Sequence, residues 1–166
     1  MKMYLLSLTL LLTVSCQGQT REKNTPEAQT SENEASFPVE KTDAEWQAQL
    51  GDMAYYVLRR AGTEPQGSSE LLHNKEKGTY VCAGCGTPLF ESAYKYDSGS
   101  GWPSFDREVE GNVAFSIDTS FGMQRVEEHC SVCGGHLGHV FDDGPRQTTG
   151  KRHCINGAAL QFVPEQ

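Results

Sequence analysis

Six cysteines carry most of the chemistry open to this sequence, and their spacing divides them into three groups. Cys82-Ala83-Gly84-Cys85-Gly86 and Cys130-Ser131-Val132-Cys133-Gly134 repeat one C-x-x-C-G unit. Each unit presents two thiolates from a tight turn, and its glycine lets the backbone bend so that amides approach the sulfurs. Together Cys82, Cys85, Cys130 and Cys133 make a closed tetrahedral set for one Zn2+, structural because no position is left for water or substrate. The 44 residues between the units place the ligands in two distant parts of one domain. The competing reading is a pair of redox-active or disulfide-bonded C-x-x-C units in an oxidising compartment. A thioredoxin-type centre needs only one such motif, placed at a strand-to-helix boundary, and that context is missing here.

Cys154 is the one cysteine of the folded region without such a partner. It lies in Gly150-Lys151-Arg152-His153-Cys154-Ile155-Asn156-Gly157, followed by an apolar run. As a strand, this stretch puts Arg152, Cys154 and Asn156 on one face and His153 and Ile155 on the other. A cation and an amide flanking a thiol favour the thiolate and orient what it attacks. Taken alone, the stretch defaults to a plainer reading, with Cys154 as a small buried hydrophobe in a core strand.

Two further stretches are unusual for a purely structural domain. Asp97-Ser98-Gly99-Ser100-Gly101-Trp102-Pro103-Ser104-Phe105 reads as a mobile glycine-rich loop with Trp102 at its tip, either buried in a core or forming a wall of an apolar pocket. Gly135-His136-Leu137-Gly138-His139-Val140-Phe141-Asp142-Asp143-Gly144 holds two histidines. Four cysteines already complete a metal site, so His136 and His139 are better read as hydrogen-bond donors or acids.

The elements that must position these residues begin after an export segment and a tether. Residues 1–15 have a basic start and an apolar stretch of signal-peptide length, too short to span a bilayer stably. Cys16, after a small residue, resembles the lipidated first residue of a bacterial lipoprotein, although Thr13 stands where Leu is usual. Cleavage by an ordinary signal peptidase near Ser15 is the alternative, and a cytosolic tail is the plain one. Export places the protein in the cell envelope or periplasm, touching the membrane only through a lipid anchor. Residues 16–41 are rich in Gln, Thr, Ser, Glu and Asn and read as a disordered tether. Residues 42–166 form one domain. Thr42-Asp43-Ala44-Glu45 is a capping box for a helix with Trp46 and Leu50 on one face. Gly51 ends that helix, Asp52 caps a second, and Met53, Tyr56, Val57 and Arg60 follow at helical spacing. After Gly62, short segments separated by turns read as strands: 79–81, 88–90, 112–118, 123–128, 139–141 and 158–163. The fold class is therefore mainly β, in antiparallel sheets with short N-terminal helices. The net charge of −8 and the lack of a basic patch argue against a nucleic-acid partner.

In combination, these pieces resemble the B-type methionine-R-sulfoxide reductases. The matching residues are Arg60-Ala61-Gly62-Thr63-Glu64, both C-x-x-C-G units, Asp97-Ser98-Gly99 with Gly101 to Phe105, Gly122-Met123, His136 to Pro145, and Arg152 with Cys154-Ile155-Asn156. The resemblance covers about residues 45–163. It implies two antiparallel sheets with structural zinc. It also implies that Cys154 attacks the sulfur of an R-configured methionine sulfoxide in an oxidised protein, giving methionine and a cysteine sulfenic acid. His136 and His139 match residues that bind or protonate the sulfoxide oxygen, and Trp102 the residue packed on the substrate methyl. Arg152 and Asn156 match polar residues beside the nucleophile. The implied protein is a monomer reduced by a thioredoxin-like or other external thiol.

Two departures qualify the resemblance. Many members carry a second, resolving cysteine where this chain has Ser100, so the sulfenic acid must be reduced by an outside thiol, or by Cys16 if it escapes lipidation. Gln147-Thr148-Thr149-Gly150 is one residue longer than usual, and His153 stands where an aromatic is common. The alternatives from other classes are a non-catalytic zinc-bearing binding module of the envelope, and a cysteine hydrolase using Cys154 and His139.

Overall fold

The computed structural model describes residues 36–166. The signal segment, Cys16 and the tether as far as residue 35 lie outside the described residues. Among the described residues, no helix is long and apolar enough to cross a membrane.

Helix α1 spans Asp43–Gln49. Its capping box forms as expected: Thr42 Oγ1 accepts from the Glu45 amide, and the Glu45 carboxylate accepts from the Thr42 amide. Trp46 and Leu50 are buried. Helix α2 spans Asp52–Arg60 and corrects two expectations. Gly51 is the cap, without a side-chain hydrogen bond, and Asp52 is the first helical residue, where its charge complements the helix dipole instead. The buried face carries Val57 and Leu58, while Met53 and Tyr56 stand half exposed. Leu58 is drawn inward by close packing on the bare backbone of Gly135. The packed body also starts before Thr42. The Val39 amide donates to the Val132 carbonyl at 2.8 Å, and the Phe37 ring meets His129 edge-on at 5.9 Å.

Nine strands follow: β1 Gly78–Cys82, β2 Pro88–Glu91, β3 Lys95–Tyr96, β4 Ser104–Phe105, β5 Val113–Asp118, β6 Arg125–Cys130, β7 His136–Phe141, β8 Arg152–Ile155 and β9 Leu160–Pro164. They form a three-stranded sheet, β2-β1-β9, and a six-stranded sheet, β3-β4-β8-β7-β6-β5, with every pair antiparallel. The mainly β, two-sheet architecture with short N-terminal helices is thus as expected. Strand β8 forms in the Cys154 stretch read as a strand, and the two-residue strands β3 and β4 extend the set read from the sequence.

The core is filled by Trp46, Tyr80, Leu89, Phe90, Phe105, Leu137 and Ile155. Phe90 stacks on Phe105 with ring centroids 4.4 Å apart. His153 is buried in this core, its Nδ1 2.5 Å from Glu128 Oε1. His153 and Ile155 therefore point inward, and Cys154 lies on the opposite face.

Candidate active site

Register across the large sheet assembles the site. Facing partners in an antiparallel pair share a face, with Cβ atoms roughly 5 Å apart. Ser116 faces Glu127, Glu127 faces His139, His139 faces Cys154, and Cys154 faces Ser104. One row of polar side chains thus crosses five strands, with Cys154 between His139 and Ser104. His136 and His139 are three residues apart, and a regular strand would send them to opposite faces. A bulge corrects this. Glu128 faces Gly138 but His129 faces His136, so Leu137 is the extra residue. Both imidazoles then stand on the Cys154 face, with ring centroids 5.5 Å apart. Gly138 has a separate reason to lack a side chain: a Cβ there would collide with the Cys154 carbonyl.

Each histidine is held by a carboxylate. His136 Nδ1 lies 2.6 Å from Glu127 Oε1, and His139 Nε2 lies 2.8 Å from Asp118 Oδ2. The bond to His136 holds the Glu127 carboxyl below its ordinary value. Asp118 lies well below the usual carboxylate range, chiefly through its hydrogen bonds to Ser120, with His139 and Arg125 adding to the effect. Burial lowers the His139 value and outweighs the opposing pull of Asp118, so this ring favours the neutral form. A carboxylate on one ring nitrogen fixes that nitrogen as the donor, leaving the other free to meet substrate.

Cys154 is partly exposed, unlike the buried Cys82, Cys130 and Cys133. Its Sγ lies 3.6 Å from Ser100 Oγ. The glycine-rich loop is firmly tied. Ser98 Oγ bonds Ser104 Oγ at 2.7 Å, Gln66 Nε2 donates to the Ser100 carbonyl, and the Gly67 amide donates to the Gly101 carbonyl. Trp102 is half-buried, and its Nε1 donates to the Glu64 carbonyl at 3.2 Å. It is therefore a fixed wall, not a mobile tip.

Asn156 departs from the face expected for it, because β8 ends at Ile155. Its side chain is buried. Nδ2 donates to the Leu137 carbonyl and Oδ1 accepts from the Glu64 amide, both at 2.9 Å. The Glu64 carboxylate in turn accepts from the Gly157 and Ala158 amides at 2.7 and 2.8 Å. Asn156 and Glu64 thus lock the end of the Cys154 strand to β7 and to the Trp102 loop. Arg152 stays on the Cys154 face, but its guanidinium forms a two-point pair with Asp143 at 2.8 and 2.9 Å and covers Phe141. Much of the cation's field is spent on Asp143, whose carboxyl it lowers.

The four knuckle sulfurs lie within 4.8 Å of one another. Their closest approaches run between the units: Cys82 to Cys133 at 3.7 Å and Cys85 to Cys130 at 3.5 Å. Tetrahedral thiolates about 2.3 Å from a Zn2+ ion would stand about 3.8 Å apart, so the set fits such an ion. Gly86 and Gly134 have φ of 76° and 68°, the left-handed turn the knuckle reading requires of them. Hydrogen bonds among the crowded thiols push Cys82 up and Cys133 up to about 12, while Cys85 falls to about 6 and Cys130 lower still. Four sulfurs that cannot all be thiolates unaided form a donor set suited to a cation.

Glu127, Asp118, Glu64 and Ser104 escaped the sequence reading as site residues. Glu127 and Asp118 fall on alternate positions of the predicted strands, but pairing them with His136 and His139 requires the register and the bulge. Glu64 sits 90 residues from Cys154 and closes the Arg60 to Glu64 piece of the resemblance, which gave it no role of its own.

Comparison with known proteins follows the same lines. The family model described as the SelR domain matches residues 50–164. Over 131 residues the chain is 53% identical to the peptide methionine sulfoxide reductase MsrB of Leptospira interrogans, covering 78% of this chain and 99% of that protein. Over 133 residues it is 51% identical to the protein of the same name from Methanosarcina barkeri, covering 80% and 93%. It is also 51% identical over 121 residues to the mitochondrial methionine-R-sulfoxide reductase B3 of Mus musculus, covering 72% of this chain and 47% of that protein.

Proposed function

The chain belongs to the SelR, or MsrB, family of peptide methionine sulfoxide reductases, and we propose that it reduces methionine-R-sulfoxide in oxidised proteins through Cys154. The observation that carries this reading is the row in which Cys154 faces His139, with His136 brought to the same side by the bulge. The Cys154 thiolate attacks the sulfoxide sulfur while a proton reaches its oxygen from the His136–His139 side. The sulfur–sulfur bond so formed and the sulfur–oxygen bond of the substrate then break, and methionine leaves. The oxygen ends on Cys154 as a sulfenic acid. Asp118 and Glu127 hold the two imidazoles in place, and Trp102 walls the site where the substrate methyl packs. Asn156 and Arg152 act from the side, through the strand end and through Asp143.

Among the described residues no second free thiol lies beside Cys154, and Ser100 occupies the nearest loop position. An outside thiol, from a thioredoxin-like protein or a small molecule, therefore returns Cys154 to its reduced state. Zn2+ held by Cys82, Cys85, Cys130 and Cys133 has a structural part, joining the end of β1 to the end of β6. The reading further takes the protein as a monomer, exported and anchored in the cell envelope by lipid on Cys16.

Turnover of the two methionine sulfoxide epimers with dithiothreitol tests the reading. Consumption of the R epimer alone is expected. Reduction of only the S epimer, or of neither, sinks the proposal. Cys154→Ser abolishes turnover with zinc content unchanged, and retained activity would remove Cys154 from its role.

A further inference from the structure

Cys154 has unlike neighbours on its two sides. Along the row, His139 on β7 stands to one side and Ser104 on β4 to the other. Ser98 and Ser100 extend the serine side, Ser98 Oγ 2.7 Å from Ser104 Oγ and Ser100 Oγ 3.6 Å from Cys154 Sγ. Nucleophilic displacement at sulfur is an in-line process: the entering sulfur, the attacked sulfur and the leaving oxygen approach a straight line. A sulfenic oxygen left towards the histidines can then be displaced only by a thiol arriving from the serine side.

That side is open. A cleft of about 500 Å³ is lined by Tyr96, Ser98, Ser100, Asp143, Pro145 and Arg152. The Tyr96 hydroxyl is buried beside it without a hydrogen-bond partner among the described residues. The Arg152–Asp143 pair forms the opposite wall and keeps the cleft polar.

We propose that this cleft is the entrance for the reducing thiol, so that substrate and reductant reach Cys154 from opposite sides of β8. The proposal rests on the sulfenic-acid chemistry above. In the first step a thiol sulfur bonds to Cys154 Sγ, the S–O bond breaks, and the oxygen leaves as water, taking the thiol proton and the sulfenic proton. In the second step another thiol, or the second thiol of a dithiol, attacks the mixed disulfide. It carries away a disulfide and returns Cys154 as the thiol. Two thiols are oxidised for each sulfenic acid reduced.

The two half-reactions are separable in the full-length protein. Methionine formed in a single turnover without thiol reports the first. Loss of dimedone-trappable sulfenic acid after thiol addition reports the second, with dithiothreitol and a thioredoxin-type protein as parallel reductants. Pro145→Trp narrows the cleft and is expected to slow the reductive step about tenfold or more relative to the methionine burst, most for the protein dithiol. Equal slowing of both half-reactions by Pro145→Trp overturns the proposal. A larger effect with dithiothreitol than with the protein also overturns it, because a steric entrance must discriminate by size. Absence of any methionine burst in the unsubstituted protein instead overturns the assignment of Cys154 itself.

Discussion

Asn156→Ala separates a side chain that touches substrate from one that holds the site together. The Asn156 side chain makes two buried hydrogen bonds, to the Glu64 amide and to the Leu137 carbonyl. The two losses are unequal. The Leu137 carbonyl keeps the Asn156 backbone amide as a donor at 2.9 Å, so it is never orphaned. The Glu64 amide has only Asn156 Oδ1 and is left buried without an acceptor. An orphaned buried donor costs about 1–3 kcal/mol, and an ordinary lost hydrogen bond about 1 kcal/mol, so the expected destabilisation is about 2–4 kcal/mol. With a denaturant slope of about 2 kcal/mol per molar, the urea midpoint falls by about 1–2 M, read by tryptophan fluorescence at a fixed zinc concentration. Trp102 hangs from the carbonyl of the same Glu64. Displacement of that wall and of the β8 end by about 1 Å is expected to lower kcat/KM of the folded enzyme by up to about a hundredfold. A variant that unfolds like the unsubstituted protein but loses turnover completely would refute the clamp and return Asn156 to direct contact with substrate.

Three other perturbations give separate checks. The Glu127 carboxyl is held below its ordinary value of 4.5 by His136, so its stabilisation is complete above that pH and is lost as pH falls through the lowered folded-state value. Stability should therefore decline more steeply with acidification below about pH 5 in the native sequence than in Glu127→Gln, and parallel declines in urea titrations at stepped pH would contradict the pairing. Removing zinc with a chelator should cost several kcal/mol and broaden the unfolding transition, since it unclips β1 from β6. An equally stable, metal-free protein by calorimetry would refute the structural metal. Ser100→Cys places a thiol near the present 3.6 Å approach to Cys154, so one turnover without reductant should give an intramolecular disulfide by mass spectrometry. A persistent dimedone adduct on Cys154 in that variant would show that the loop cannot close the remaining gap.

Patterns set by local chemistry were readable from residue order. The knuckle glycines, the Thr42 capping box and the placing of His153 and Ile155 on the face opposite Cys154 each depend on a few consecutive residues, and each formed as expected. The face of α2 followed at Val57 but not at Met53 and Tyr56, because Leu58 was drawn in against the bare backbone of Gly135. Asn156 was assigned to the Cys154 face by strand parity, and the strand ended one residue too soon for that parity to hold. The pairing of His136 with His139 carried the opposite problem, since parity alone would have separated them. The sequence by itself determined which residues could be nucleophile, acid and metal ligand, because these are properties of side-chain type and short spacing. Only the tertiary structure decided which carboxylate backs which histidine, that Glu64 ties Asn156 to Trp102, and that Cys154 stands between His139 and Ser104. Those are relations between strands far apart in the chain, fixed by register, by one bulge at Leu137 and by the packing of loops over the sheet.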